Sequence, residues 1–285
     1  MKANESAEIV KAVGALTKTV SGKVQEIDSK VEDVSNRILS SISVANVFSF
    51  YVDAENGDNS NDGMKWASAK QTIEGAVEST PLGAYVNIHV KRGQNHQVTS
   101  SIYGMNRTIR ILGDGYAYPD FSTCVDIEFM PYVRHDGRVG QRGFVLGLGT
   151  TIFMRGIRIK TATLNESYKG KHILPYSSAF STMNGKGDVI LEHTIVDIFH
   201  MPLMHQHTAG SFGSADLYFR SAKVIKNDLS GLIIDHGRQY LMDSYGSEPM
   251  PFILYGVQSQ LEGVGSWKEL ISRDITNAST NLYEE

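Results

Sequence analysis

Glu192, Asp197, Asp216, Asp235 and Asp243 stand in or beside short runs in which apolar and polar residues alternate. Carboxylates are the working groups of glycoside hydrolysis, which needs two of them about 5–10 Å apart, one as acid and one as nucleophile or base. Neighbouring strands of a sheet lie about 4.8 Å apart, so a strand face could bring such a pair together. No spacing among the five selects a pair; Glu192, Asp197, Asp216 and Asp235 are the catalytic candidates, with turn capping and solvation as their ordinary alternative uses. A lyase would instead need a basic group to abstract a proton beside an acidic sugar, and Arg238 is a residue of that type.

His200, His205 and His207 form the densest imidazole cluster, in His-Met-Pro-Leu-Met-His-Gln-His. Histidines two apart share one side of a strand and could hold a transition metal. No cysteine or carboxylate accompanies them, and Pro202 indicates a loop, so hydrogen bonding or ligand contact is the expected use. Asp58-x-Ser60-x-Asp62-Gly63 matches the first half of a calcium loop, but the twelfth position is Ala69, where a bidentate Glu belongs. Turn capping is the expected role there. No metal and no cofactor is expected.

Tyrosine and histidine rings near turns are the candidates for glycan contact, because a ring can lie on a sugar face while its polar edge bonds hydroxyls. Tyr116, Tyr118, His205, His207 and Tyr240 are the residues chosen. Core or inter-subunit packing is the competing use of each aromatic.

The chain that must position these groups has 285 residues, of which 41% are hydrophobic, enough to bury a core. Its 27 basic and 31 acidic side chains are mixed, with a net charge of −4, and no basic stripe predicts a nucleic-acid partner. Cys124 is the one cysteine, so no intrachain disulfide forms. The first 20 residues are broken by charges and lack the apolar core of a signal peptide, so synthesis in a cytoplasm is expected. No apolar run is long enough to insert in a membrane.

Residues 1–45 read as an oligomerising stalk. Apolar residues recur at Ile9, Val13, Leu16, Val20, Val24, Ile27, Val31, Val34 and Ile38, a heptad seam with an extra four-residue step at Val20–Val24. The seam is narrow, which asks for partner helices. Apart from Leu16 its members from Val13 to Ile38 are all valine or isoleucine, and β-branching at both seam positions shifts preference from dimers to trimers or tetramers. A homotrimeric coiled coil is expected; a lone helix packed on its own domain is the alternative.

After Ala45 the composition changes. Val47–Val52 is an aromatic and β-branched run, and Thr72–Val77 has the pattern of a short helix. Short alternating runs follow at 86–90, 109–111, 125–129 and 157–159, with Ile152 and Met154 before Arg155-Gly156, and later short runs stand at 189–191, 195–196, 217–219, 232–234 and 252–254. Strands this short, separated by Gly, Asn, Asp and Ser, indicate an all-β fold: sandwich, barrel or solenoid.

Tyr51-Val52-Asp53, Gly57-Asp58-Asn59-Ser60-Asn61-Asp62-Gly63, Trp66-Ala67 and Thr72-Ile73-Glu74-Gly75-Ala76-Val77 together resemble the opening segment of pectate-lyase-like right-handed parallel β-helices, as phage tailspikes and tail fibres carry it. The resemblance spans Tyr51 to Val77. It implies a first strand, a loop and a short helix that caps the open end of a solenoid, over residues 46–79, with the solenoid body and C-terminal segment over 80–285. Eight to ten coils of about 20–25 residues would fill that body. It further implies a virion tail protein that binds a bacterial surface polysaccharide for host attachment and docks on other tail proteins, the alternative being a depolymerase, hydrolase or lyase, of capsule or O-antigen. Arg158-Ile159-Lys160 and Asp235-His236-Gly237-Arg238 are similar to fragments of polygalacturonase signatures, but in reversed order and without that family's Asn-Thr-Asp-Gly and Asp-Asp elements, so they imply no activity.

Overall fold

Alternation in the sequence becomes strand because it lets one face meet the core and the other meet water. A computed structural model describes residue 11 and residues 13–31, 46–174, 177–182, 185–207, 213–229, 238–245, 252–272 and 278–282. Ile9, Val34, Ile38, Phe212, Leu232, Ile233, Ile234 and Asp235 lie outside the described residues. The chain divides into two units, residues 1–46 and 47–285.

The first unit is helical over residues 13–31. Val13, Leu16, Val20, Val24, Ile27 and Val31 are all exposed on it. Glu26 bridges Lys23 and Lys30, each at 2.7 Å, which supports the helix modestly in water.

The second unit is mainly β, with three long parallel sheets among the described residues. The first has eight strands: Val47–Val52, Tyr85–Val90, Thr108–Gly113, Thr150–Arg155, Gly185–Glu192, Gly213–Arg220, Phe252–Val257 and Ala278–Thr280. The second has six: Asn95–Val98, Val125–Phe129, Ile157–Lys160, Ile195–Ile198, Lys223–Lys226 and Gln260–Glu262. The third has five: Ile102–Tyr103, Phe144–Leu146, Phe180–Thr182, Met204–His207 and Met242–Tyr245. From Tyr85 to Gln260–Glu262 the chain visits first, second and third sheet in turn, pairing each strand with the one from the visit before, and Ala278–Thr280 then returns to the first sheet. This order is compatible with the expected solenoid.

The visits are longer and fewer than 20–25-residue coils require. First-sheet strands begin at residues 85, 108, 150, 185, 213, 252 and 278, with steps that range from 23 (85 to 108) to 42 (108 to 150). The extra length lies in excursions. Pro131–Val133 and Val139–Gln141 form an antiparallel hairpin, and Val139, Ala162, Leu164 and Met201 build a small core of their own beside it. Buried Gln141 ties that excursion down, accepting from the Ala162 N–H at 2.8 Å and donating to the Pro202 carbonyl at 2.7 Å.

Inward side chains stack by type from strand to strand. Ile109, Ile152, Val189, Leu217 and Leu254 are successive partners, each fully buried. Phe129, Phe144 and Phe180 pack ring to ring, with centroids 5.7–6.2 Å apart. In the last four passages from first to second sheet the corner is made by one left-handed residue: Gly156 (φ 65), His193 (φ 50), Ser221 (φ 49) and Gln258 (φ 53). At Gly156 a Cβ would lie 2.4 Å from the Tyr116 ring, so that corner excludes any side chain.

The Tyr51–Val77 segment folds as a unit around two side chains. Burial alone would push Asp53 upward, but the Lys91 ammonium, the Gln94 amide and the Asn56 N–H hold it well below the usual carboxylate range. Asn59 accepts from the N–H groups of Gln71 and Thr72, and Thr72 caps the helix Ile73–Glu78 by accepting from Gly75 at 3.0 Å. Ile73, Ala76 and Val77 enter the same core as Phe50, Val52, Val86 and Ile102.

Candidate functional site

The outer faces of the sheets carry the polar residues, and register decides which of them meet. On the first sheet Glu192 lies between two arginines of the adjoining strands, 3.8 Å from Arg155 and 3.3 Å from Arg220. Asp216 is buried and held by Lys186 at 2.6 Å, while its Oδ1 accepts from the Ile253 N–H at 3.0 Å. Its strand partner is Asp188, a residue the sequence does not single out. Burial raises the Asp188 carboxyl above its ordinary value, the Lys186 charge opposes that, and the Asp216 charge adds to it. One carboxylate with a cation beside another that favours its proton is the arrangement an acid and a base require.

The other candidates do not join this pair. Asp197 is on the second sheet, 1% exposed, bonded to Arg158. Asp243 is on the third sheet, fully buried, 3.1 Å from Arg238 and 4.0 Å from His205. Asp235 lies outside the described residues.

Tyr116 and Tyr118 come together around His193, whose ring is 6.1 Å from the first and 4.2 Å from the second. Tyr118 is 59% exposed, whereas the Tyr116 hydroxyl is buried and pushed up to about 12, chiefly by burial. His205 is buried within the third sheet, at 1% exposure. Tyr240 is half-buried beside Leu203, and the His207 side chain is outside the described residues. His200 uses its Nδ1 to accept from the Leu164 N–H at 3.0 Å, with burial lowering its proton affinity. Asp58 and Asp62 accept from the N–H groups of Ser60 and Met64, the turn-capping use expected of them.

A third feature escaped the sequence altogether. An open groove of about 640 Å³ runs along the outer face of the second sheet. Asn95, Asp126, Arg158, Ile195, Lys223 and Gln260 line it, with Phe121, Ser122 and Cys124 from the segment before Val125. Burial pushes the Cys124 thiol up to about 12, so it is no nucleophile at neutral pH. Alternation marked these strands as two-faced; which outward residues would share a groove depends on pairings between segments about 30 residues apart.

No protein-family model matches the chain, and no curated protein matches it.

Proposed function

We propose that this protein is a trimeric virion fibre or spike. In this reading residues 1–45 form a coiled-coil stalk, and residues 46–285 form a right-handed parallel β-helix that binds a bacterial surface glycan for host attachment. The observation that carries it is the stalk helix. Six valine, leucine and isoleucine side chains at heptad spacing, from Val13 to Val31, are each at least 50% exposed, and three copies would bury them against one another. The cyclic order of three parallel sheets supports the solenoid, as does the resemblance of Tyr51–Val77 to tailspike openings. An outer column of Phe153, Ile190, Tyr218 and Tyr255 on the first sheet supports lateral packing of three bodies.

The reading places the protein on the tail, anchored to other tail proteins and assembled in the host cytoplasm. Sedimentation of the full chain and of residues 46–285, together with binding to purified capsule and O-antigen, tests it. A full-length monomer that holds no polysaccharide would end it. The alternative, depolymerase activity, draws on the Asp188–Asp216 pair alone. New reducing ends or unsaturated products, lost in Asp188→Asn, would favour it over simple attachment.

A further inference from the structure

The groove on the second sheet is floored by one register column. Asn95, Asp126, Arg158, Ile195, Lys223 and Gln260 are successive strand partners. Five inter-strand steps carry that floor over about 24 Å. Beside it on the same face runs a second column: Gln97, Glu128, Lys160, Asp197, Ile225 and Glu262.

The two columns are laced together by diagonal bonds of a single sense. Asn95 donates to Glu128 at 2.9 Å, Lys160 to Asp126 at 2.6 Å, Arg158 to Asp197 at 2.5 Å and Lys223 to Glu262 at 2.5 Å. Each bond joins a floor residue to the second-column residue of the next strand. Lys160, Arg158 and Lys223 are thereby matched against Asp126, Asp197 and Glu262, and Glu128 adds a further negative charge. No cation of this lattice is left over to attract an anion, and an anionic polymer would lie against carboxylates already satisfied.

We infer that this groove binds one extended, uncharged glycan chain. The inference rests on the glycan-binding reading above and names the face and the ligand class. The paired charges offer fixed donors and acceptors to hydroxyls and leave no unpaired cation, and the Gln260 side-chain amide, which makes no hydrogen bond among the described residues, stands at one end of the floor. Phe121 and Ile195 supply apolar surface for sugar faces. The groove's volume lies within the range of ligand sites.

The full-length protein is tested against purified bacterial capsular and O-antigen polysaccharides, sorted into those with neutral and those with acidic repeating units. Neutral chains bind, and their affinity changes less than about twofold between low and high salt, because no net charge is screened. Ser122→Trp, which fills the groove, and Gln260→Ala each weaken binding at least about tenfold with an unchanged melting temperature. Leu82→Ala, at an exposed site elsewhere, leaves binding intact. Groove variants that bind like the parent protein overturn this assignment and leave the fibre reading standing. Binding confined to acidic chains and lost steeply with salt overturns the neutral class. A trimer that binds none of the panel overturns the glycan-binding reading itself, and this inference with it.

Discussion

The guanidinium of Arg158 lies diagonally across the strand boundary from the carboxylate of Asp197, which is sealed to 2% side-chain exposure beneath it. Asp197 Oδ2 receives that bond, while Oδ1 is buried with no hydrogen-bond partner among the described residues. The Arg158 side chain keeps 41% of its surface in water, so solvent screens part of the attraction.

Arg158→Ala therefore costs about 2–3 kcal/mol in urea unfolding, mostly from leaving a buried carboxylate without its cation. Arg158→Leu combined with Asp197→Leu recovers most of the loss. A double variant as unstable as the single one would mean that the pair is not what fails.

Gly156→Ala meets two obstacles at once: a left-handed backbone and the Tyr116 ring. A loss of about 2–4 kcal/mol is expected, from strain and overpacking together. Removing the ring and its Cβ as well, in Gly156→Ala with Tyr116→Gly, returns the overpacking share, and the two changes are non-additive in a double-mutant cycle.

Asp188 titrates high in the folded chain, first because of burial, with Asp216 adding and Lys186 opposing. A raised folded pKa means that the protonated form is favoured by folding. Its contribution is fully present below the unfolded value near 4 and is lost as pH rises through the folded value. Asp188→Asn, which keeps the neutral form at every pH, should thus be more stable than the parent at neutral pH. The two should converge in acid. Parallel melting curves across that range would show that Asp188 carries no such shift.

Phe180 packs against both Phe129 and Phe144, which also touch each other, and is fully buried. Phe180→Ala should cost about 3–5 kcal/mol, since a fixed ladder of strands collapses little around a lost ring. A cost near zero would argue against a rigid core at that level.

Ile27→Asp places a charge in the middle of the exposed stalk stripe. If the stalk is a trimeric coiled coil, sedimentation should shift from trimer to monomer, and helical circular dichroism should fall with it, because a helix without partners is marginal in water. A chain that stays trimeric would locate its association outside the stalk.

Alternation marked seven of the eight first-sheet strands and three of the six second-sheet strands among the described residues, but none of the third sheet, whose strands are short and carry no such run. Val86, Ile88 and Val90 alternate with Asn87 and His89, and the strand Tyr85–Val90 has that inside-outside pattern. The helix after Thr72 was equally legible, because a capping threonine and an apolar i, i+3, i+4 set are local signals. Coil length was not: the hairpin at Pro131–Gln141 and the excursion over 161–174 stretch the turns by amounts that no local pattern records. Nor was the company each polar residue keeps. Asp216 drew notice in the sequence, but only pairing set Asp188 beside it, and only pairing aligned Asn95, Asp126, Arg158 and Lys223 along one groove. Inside and outside follow from the two-residue period of a strand, which each segment carries by itself. Neighbours across strands depend on register between segments far apart in the chain, and a slip of one residue would turn every one of those side chains to the other face.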